Sequence, residues 1–177
     1  MLIMNKIKIL LITSLLVFMP ASVLADGIKV LDGERAMLQT QYAIDESNKF
    51  EQDPDFTADR ERLELLQTEI QALVDTFQQD QETLSDQEIA DMQQKVQDKQ
   101  TEAQFVAQKL QTKIEQKRGE ILQTLTPIFQ QVVGELITAQ ELDMIMPSQT
   151  LFYWDPDMDM TDEVTALLDL AVSKAED

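Results

Sequence analysis

The sequence contains no cysteine and no histidine, and it has only four glycines and five prolines in 177 residues. Without cysteine there is neither a disulfide framework nor a lipobox cysteine to anchor the chain. Ser–His and Cys–His catalysis are excluded, and the usual zinc ligands are missing. Carboxylate pairs are abundant, but they lie on solvated helix faces where nothing separates two pKa values for acid/base work. The chain is therefore predicted not to be an enzyme and to need no cofactor or metal.

Cations are also scarce after the first 25 residues, where 33 carboxylates stand against 12 lysines and arginines, a formal charge of −21. Nucleic acids and anionic membrane surfaces bind proteins chiefly through Lys and Arg clusters. We therefore expect neither of them as a partner. The acidity either keeps copies of the chain in solution by repulsion or favours a cationic partner, and composition leaves both open.

The N-terminus has the organisation of a secretory signal peptide. Lys6 and Lys8 precede an apolar run at residues 9–19, and small residues up to Ala25 match a cleavage site. The run is shorter than the roughly 20 residues that a membrane crossing needs. We expect cleavage after about Ala25 and a mature protein that is soluble, periplasmic and not embedded in a membrane.

The strongest pattern spans residues 63–110, where apolar residues recur at alternating steps of three and four on both sides of a turn. The seam consists of Leu63, Leu66, Ile70, Leu73 and Phe77, then Ile89, Met92, Val96, Ala103, Val106 and Leu110. This spacing predicts an antiparallel two-helix coiled coil. Ser85 and Glu88 form a capping-box pattern at the start of the second helix, with Leu84 and Ile89 as a hydrophobic staple.

The seam also predicts which residues face each other. With a turn near residues 80–84, Phe77 falls opposite Ile89, and Phe56 falls opposite Leu110. Lys99 occupies a seam position opposite Leu66, and a cation there costs stability. We therefore expect a flexible point near the middle of the coil.

The segments before the coil read as a strand followed by a helix. Residues 26–31 alternate as a short strand and residues 34–52 are compatible with one helix. Asp53-Pro54 then favours a kink or a restart, because proline fits a first helical turn and Asp is a good N-cap.

The segments after the coil read as a long helix, a hairpin and a final helix. Past Leu110 the apolar phase shifts, and Pro127 is expected to kink or interrupt the helix, with Gly134 loosening its end. Residues 142–146 and 151–154 are predicted to pair as a β-hairpin. Thr161 is the expected N-cap of the last helix, with Asp162 and Glu163 placed favourably on its dipole.

These elements predict an α+β, mostly α fold. A long helical-hairpin arm at residues 53–117 would project from a small β-containing body made of residues 26–52 and 118–177. That body is small enough for oligomerisation to be a source of its stability.

Two further features admit a functional interpretation. Asp155, Asp157 and Asp159 alternate as in a calcium loop, but Met160 and Ala166 stand where that loop needs Gly and Glu, so a turn and helix cap is favoured. Apolar residues near the arm tip and off its seam are either ordinary helix-surface residues or contact points for unfolded chains, against which flexible apolar side chains pack promiscuously. The residues predicted to contact clients are Leu65, Val74, Phe77, Leu84, Ile89 and Met92.

The order of parts resembles the Skp/OmpH family of periplasmic chaperones. The resemblance rests on the strand Ile28-Lys-Val-Leu-Asp32, the charged, glutamine-rich hairpin, and the closing Phe152-Tyr-Trp-Asp-Pro-Asp-Met-Asp-Met-Thr161 segment. It implies a homotrimer whose strands share a β body and whose three arms surround a cavity that holds unfolded outer-membrane β-barrel proteins without ATP. The trimer body would involve Ile28, Val30, Leu142, Met144, Leu151 and Tyr153.

One departure from relatives concerns charge, because well-known relatives carry basic arms while residues 78–91 hold five acidic residues and no basic one. The alternative function is a periplasmic structural or adaptor coiled coil whose arm docks one defined partner helix.

Overall fold

The computed structural model describes residues 27–176, so the predicted signal peptide lies outside the described residues. The elements in chain order are β1 (Ile28–Leu31), α1 (Gly33–Leu38), α2 (Gln41–Glu51), α3 (Pro54–Asp80), α4 (Asp86–Ala139), β2 (Met144–Pro147) and α5 (Thr161–Glu176). Single 3₁₀ turns at Ser148–Thr150 and Pro156–Met158 connect β2 to α5. The molecule is mostly helical with one small pair of strands, as the sequence predicts.

The helix predicted over residues 34–52 is two helices, because Thr40 caps the second one. The Thr40 hydroxyl accepts a hydrogen bond from the Ala43 backbone N–H at 3.2 Å and donates one to the Met37 carbonyl at 2.8 Å. Threonine can offer the backbone such local partners in place of a continuous helix. Its side chain is fully buried, so the break is part of the packed structure.

The predicted restart at Asp53-Pro54 is confirmed. One carboxylate oxygen of Asp53 accepts hydrogen bonds from the backbone N–H groups of Asp55 and Phe56, at 2.9 and 3.1 Å. Pro54 is the first residue of α3, where its missing N–H costs nothing. The capping box of Ser85 and Glu88 is confirmed as well, with both reciprocal bonds present.

The expected interruption of the long helix at Pro127 does not occur. α4 runs unbroken through 54 residues, about 80 Å at 1.5 Å per residue. Pro127 has no N–H to donate to the Gln123 carbonyl. Both residues are exposed, so water can satisfy that carbonyl. α4 continues past Gly134 to Ala139.

The end of α4 is a Schellman-type cap with an unusual residue in it. The Leu142 backbone N–H donates to the Ile137 carbonyl at 3.1 Å, which is the six-to-one bond of that motif. Between them Glu141 has a φ of 51°, a left-handed conformation that glycine adopts at lower cost.

The predicted β-hairpin between residues 142–146 and 151–154 is wrong. β2 pairs with β1 in parallel, with Ile28 opposite Met144 and Leu31 opposite Pro147. Pro147 has no N–H to extend the ladder, and the 3₁₀ turn after it directs the chain away from the strand. Residues 151–154 form no strand. The other side of β1 is met by a later segment, where the Met160 backbone N–H donates to the Val30 carbonyl at 2.9 Å.

Thr161 is also not the N-cap that the sequence suggests. Its hydroxyl accepts a hydrogen bond from the Asp32 backbone N–H at 3.0 Å, which joins the end of β1 to α5. The first turn of α5 is capped instead by Asp159, whose carboxylate accepts from the Thr161 N–H at 2.9 Å. Asp162 and Glu163 do lie in that first turn, as predicted.

Three apolar clusters hold these elements together. The cluster under the strands consists of Leu31, Ala36, Val132, Leu136, Met160, Val164 and Leu168. A second joins α2 to α4 through Ala43, Ile121 and Leu125. A third, between α3 and α4, consists of Phe56, Leu66, Val106 and Leu110. Within residues 27–176, none of the helices combines the length and apolar character that a membrane crossing requires.

Candidate functional site

Ion pairs connect α3 to residues 99–109 of α4. Asp59 pairs with Lys109 at 2.7 Å, Arg62 with Glu102, and Glu69 with Lys99 at 2.6 Å. Partner numbers on α4 fall as those on α3 rise, so the two helices run in opposite directions. Each ion pair lies within two residues of the alignment that the seam predicts. Hydrogen bonds from Lys109 and Lys113 lower the pKa of Asp59, and one from Lys99 lowers the pKa of Glu69.

The part of the helix pair where Lys99 faces Leu66, predicted from the sequence to be flexible, contains the most deeply buried side chain of the pair. Leu66 has no exposed surface and belongs to the cluster with Val106 and Leu110. The ammonium of Lys99 reaches Glu69 rather than entering the seam. A long Lys stem can cover apolar surface while its ammonium reaches a carboxylate, so Lys99 is compatible with the burial of Leu66.

Further along the pair, toward the turn at residues 81–85, the helices enclose an open depression that we call the α3/α4 groove. Its volume is about 380 Å³, and it is lined by Val74, Phe77, Met92, Gln93, Val96, Gln97 and Gln100. All three apolar residues that sequence reasoning assigned to client contact at this level are therefore side by side. Of the other three, Leu84 and Ile89 are half-buried near the turn, and Leu65 stands apart with 48% of its surface exposed.

Two features of this surface were missed from the sequence. Val96 lies at a predicted seam position, and three glutamines line the α3/α4 groove beside it: Gln93, Gln97 and Gln100. Phe105 is 67% exposed although it directly precedes a buried seam residue. A large aromatic one step outside a heptad seam is the signal that could have identified it.

The carboxylates beside the α3/α4 groove are bound by amides rather than by cations. Asp75 accepts from the Gln71 side chain at 2.8 Å, and Asp91 and Asp98 accept in the same way from glutamines four residues earlier. Such bonds support the helix but leave each negative charge in place. Among the described residues, no ion pair involves a residue between positions 70 and 98.

A second exposed surface lies around the strand pair. β2 has no strand on its outer edge within the described residues, and Met144 on it is exposed. After it come fully exposed Phe152 and 80% exposed Tyr153, which border a hollow of about 520 Å³ together with Arg35. Unpaired strand edges and exposed aromatics of this kind favour association with another chain.

The remaining residues assigned to a trimer body are less exposed. Val30 is buried inside its own chain, and Leu142 packs partly buried against the cluster under the strands. Ile28 and Leu151 are half-buried. A partner copy could therefore contact Met144 and Tyr153 directly, whereas Val30 would support such an interface only from beneath.

The Asp155 to Asp159 carboxylates have structural partners. Asp155 accepts from the Asp157 backbone N–H at 3.1 Å, and Asp159 pairs with Arg35 at 3.1 Å besides capping α5. Nowhere between residues 27 and 176 do three or more acidic side chains converge in a way that could hold a metal ion.

Comparison with known proteins gives one family. The family model described as outer membrane protein (OmpH-like) matches residues 27–168. No protein of curated function matches the sequence significantly. Among solved structures, an OmpH-like protein from Caulobacter crescentus CB15, proposed to be an outer membrane chaperone, is similar at 17% identity. The match covers 81% of this chain and 84% of that one, with a TM-score of 0.47.

Proposed function

Since this chain belongs to the OmpH-like family, we propose that it is a periplasmic, ATP-independent holdase chaperone for unfolded outer-membrane β-barrel proteins. The observation that carries the proposal is the α3/α4 groove. Apolar residues from two helices meet there at an open surface, away from the clusters that hold the fold together. An unfolded chain can be retained by many weak contacts of this kind without one deep pocket.

In this proposal residues 53–117 form an antiparallel helical-hairpin arm, and residues 26–52 and 118–177 form the body. The ion pairs between α3 and α4 support the arm. The clusters around Leu31 and Leu125 support a separate body, and the ion pair of Lys117 with Glu46 at 2.7 Å joins the base of the arm to it. Residues 1–25 would be the signal peptide removed on export.

We further propose a homotrimer assembled through the body. The open outer edge of β2 and the exposed side chains of Met144, Phe152 and Tyr153 support it, because each would be covered by a neighbouring copy. Three arms would then enclose a space that one arm cannot. The client would lie in that space against the α3/α4 grooves.

The direct test is the aggregation of a urea-denatured outer-membrane protein diluted into buffer, followed by light scattering. The mature chain, at a molar excess of three or more over the client, should suppress scattering without added nucleotide. Bovine serum albumin at equal mass concentration controls for non-specific crowding. Unchanged aggregation would refute the proposal, and a pull-down yielding one stoichiometric partner without β-barrel clients would favour a docking adaptor instead.

A further inference from the structure

Charge is distributed very unevenly along the α3 and α4 pair. Residues 54–71 and 99–118, the part nearer the body, carry seven carboxylates and seven cations. Residues 72–98, the part around the α3/α4 groove, carry seven carboxylates and one cation, Lys95. The ion pairs follow this division, because the most distal pair in the described chain is Glu69 with Lys99. The two halves of one structural unit therefore differ by about six charges.

Three of the seven distal carboxylates are adjacent in sequence to residues that line the apolar groove. Asp75 follows Val74, Asp91 precedes Met92, and Asp98 follows Gln97, so each adjoins a residue that lines it. Their glutamine partners donate hydrogen bonds without neutralising them. A partner that enters the groove therefore meets an apolar floor of Val, Phe and Met side chains under a negative potential.

We propose that the α3/α4 groove selects unfolded polypeptide segments in which apolar side chains are flanked by Lys or Arg. The inference rests on the proposed function and names its substrate class. The apolar floor takes the client's hydrophobic side chains, and the flanking carboxylates attract its cations. The side-chain amides of Gln93, Gln97 and Gln100 can donate to and accept from the backbone of an extended chain.

The negative charge around the groove disfavours three other occupants: a second copy of this chain, an anionic lipid surface and nucleic acid. A second copy of this chain would bring another distal segment of net charge −6 to the first, and like charges at that distance repel. An anionic lipid surface or nucleic acid is disfavoured for the same reason. A polypeptide segment with cations beside its apolar residues complements both the apolar lining of the groove and the negative charge around it.

The test uses three fluorescent peptides of one length, measured by anisotropy against the mature chain. The first has two Phe residues flanked by Lys, the second has Glu in place of Lys, and the third has Ser in place of Phe. At about 20 mM salt the Lys peptide should bind at least about tenfold more tightly than the Glu peptide, a difference that falls to about twofold near 500 mM. The Ser peptide should bind more weakly than the Lys peptide at both salt concentrations.

Location is tested with a charge-matched pair of variants. D75N/D91N/D98N removes three carboxylates beside the groove, and E61Q/E64Q/E115Q removes three exposed carboxylates nearer the body that form no ion pair among the described residues. The first should weaken binding of the Lys peptide about three- to tenfold, and the second should change it less than about twofold.

Equal binding of the Lys and Glu peptides would overturn the inference, as would equal losses in the two variants, which would assign the effect to total charge. If unfolded outer-membrane protein is still protected from aggregation in that case, the proposed function survives. If neither the peptides nor the unfolded protein bind, the proposed function fails and the inference fails with it.

Discussion

Glutamine, rather than lysine, stands four residues before many carboxylates of this chain and binds them. Six such pairs occur among the described residues, with distances of 2.7–2.9 Å: Gln41–Asp45, Gln71–Asp75, Gln87–Asp91, Gln94–Asp98, Gln111–Glu115 and Gln131–Glu135. A Gln–Asp pair at this spacing contributes to helix stability much as a weak ion pair does, but it is not screened by salt in the same way. The helices are thus supported while their surface remains negative.

Glu141 is the residue whose replacement should stabilise the chain. It occupies the left-handed position after α4, with a φ of 51°, which costs a residue with a Cβ more than glycine. Glu141→Gly should raise the free energy of unfolding by about 0.5–1 kcal/mol in urea titrations followed by circular dichroism. Glu141→Ala keeps the strain while removing the charge, so it should not stabilise. Equal gains in both variants would show that charge, not backbone conformation, is the cause.

Glu46 should give the chain a defined acid sensitivity. Hydrogen bonds from Lys117 and Lys49 lower its pKa from 4.5 to about 2. Because the folded-state pKa is depressed, the contribution of Glu46 to stability is complete above about pH 4.5 and is lost as the pH falls toward about 2. At pH 7 Glu46→Gln should lower the free energy of unfolding by about 0.5–1 kcal/mol, and this deficit should shrink over that pH window.

The comparison must separate Glu46 from the other carboxylates, whose protonation also relieves the repulsion within a strongly acidic chain. Glu51→Gln is the matched control, because Glu51 lies on the same helix, is exposed and makes no ion pair among the described residues. Its difference from the unmodified chain should stay near zero from pH 7 to pH 3. A Glu46→Gln deficit that does not change with pH would contradict the assignment.

At the scale of elements, α4 connects the two ends of the molecule. Its 54 residues pack first against α3, then against α2, and finally under the strands and against α5. A continuous helix resists bending more than a helix pair joined by a loop would. The position of the α3/α4 groove relative to the strand pair therefore depends on the integrity of this one helix.

Leu66 should be the residue on which the pairing of α3 with α4 depends most. It is completely buried, so Leu66→Ala leaves a cavity and should lower the free energy of unfolding by about 2–4 kcal/mol. Leu65→Ala is the control one residue away, and with 48% of its surface exposed it should cost less than about 1 kcal/mol. Urea unfolding followed at 222 nm measures both. Similar costs for the two variants would mean that the predicted weak level near Lys99 exists after all.

Local signals account for what the sequence predicted well at this scale. Caps, the proline at the start of α3 and the heptad spacing depend on residues within a few positions of each other, and the structure contains them at Asp53, Pro54 and Ser85. The parallel partner of β1 could not be found that way, because 116 positions separate Ile28 from Met144. A consecutive pair of apolar runs looked like a hairpin, and only the long-range pairing excludes it.

The α3/α4 groove could also be predicted only where its residues carry a local sequence signal. Val74, Phe77 and Met92 were recognisable as apolar residues near the turn, and they line one groove. The glutamines beside them carry no sequence signal, since their role comes from the distance between two helices. Lys99 occupies a predicted seam position, and its ammonium reaches Glu69 rather than entering the seam.

At the scale of the whole molecule, the neutral, ion-paired part of the α3 and α4 pair adjoins an acidic part that contains the α3/α4 groove. A formal charge of −21 on residues 26–177 works against association, so contacts between copies in the proposed trimer would have to be local and apolar. The exposed aromatic residues after β2 meet that requirement. Clients would meet the opposite end of the molecule.

In the proposed function three copies together hold one unfolded client, and the mass of the complex tests this proposal. A urea-denatured outer-membrane protein is diluted into the mature chain, and the soluble complex is separated by size exclusion and weighed by multi-angle light scattering. We expect three copies of the chain alone and three copies with one client in the complex. A chain that is monomeric alone and remains monomeric with a client bound would contradict the proposed trimer and its enclosed client.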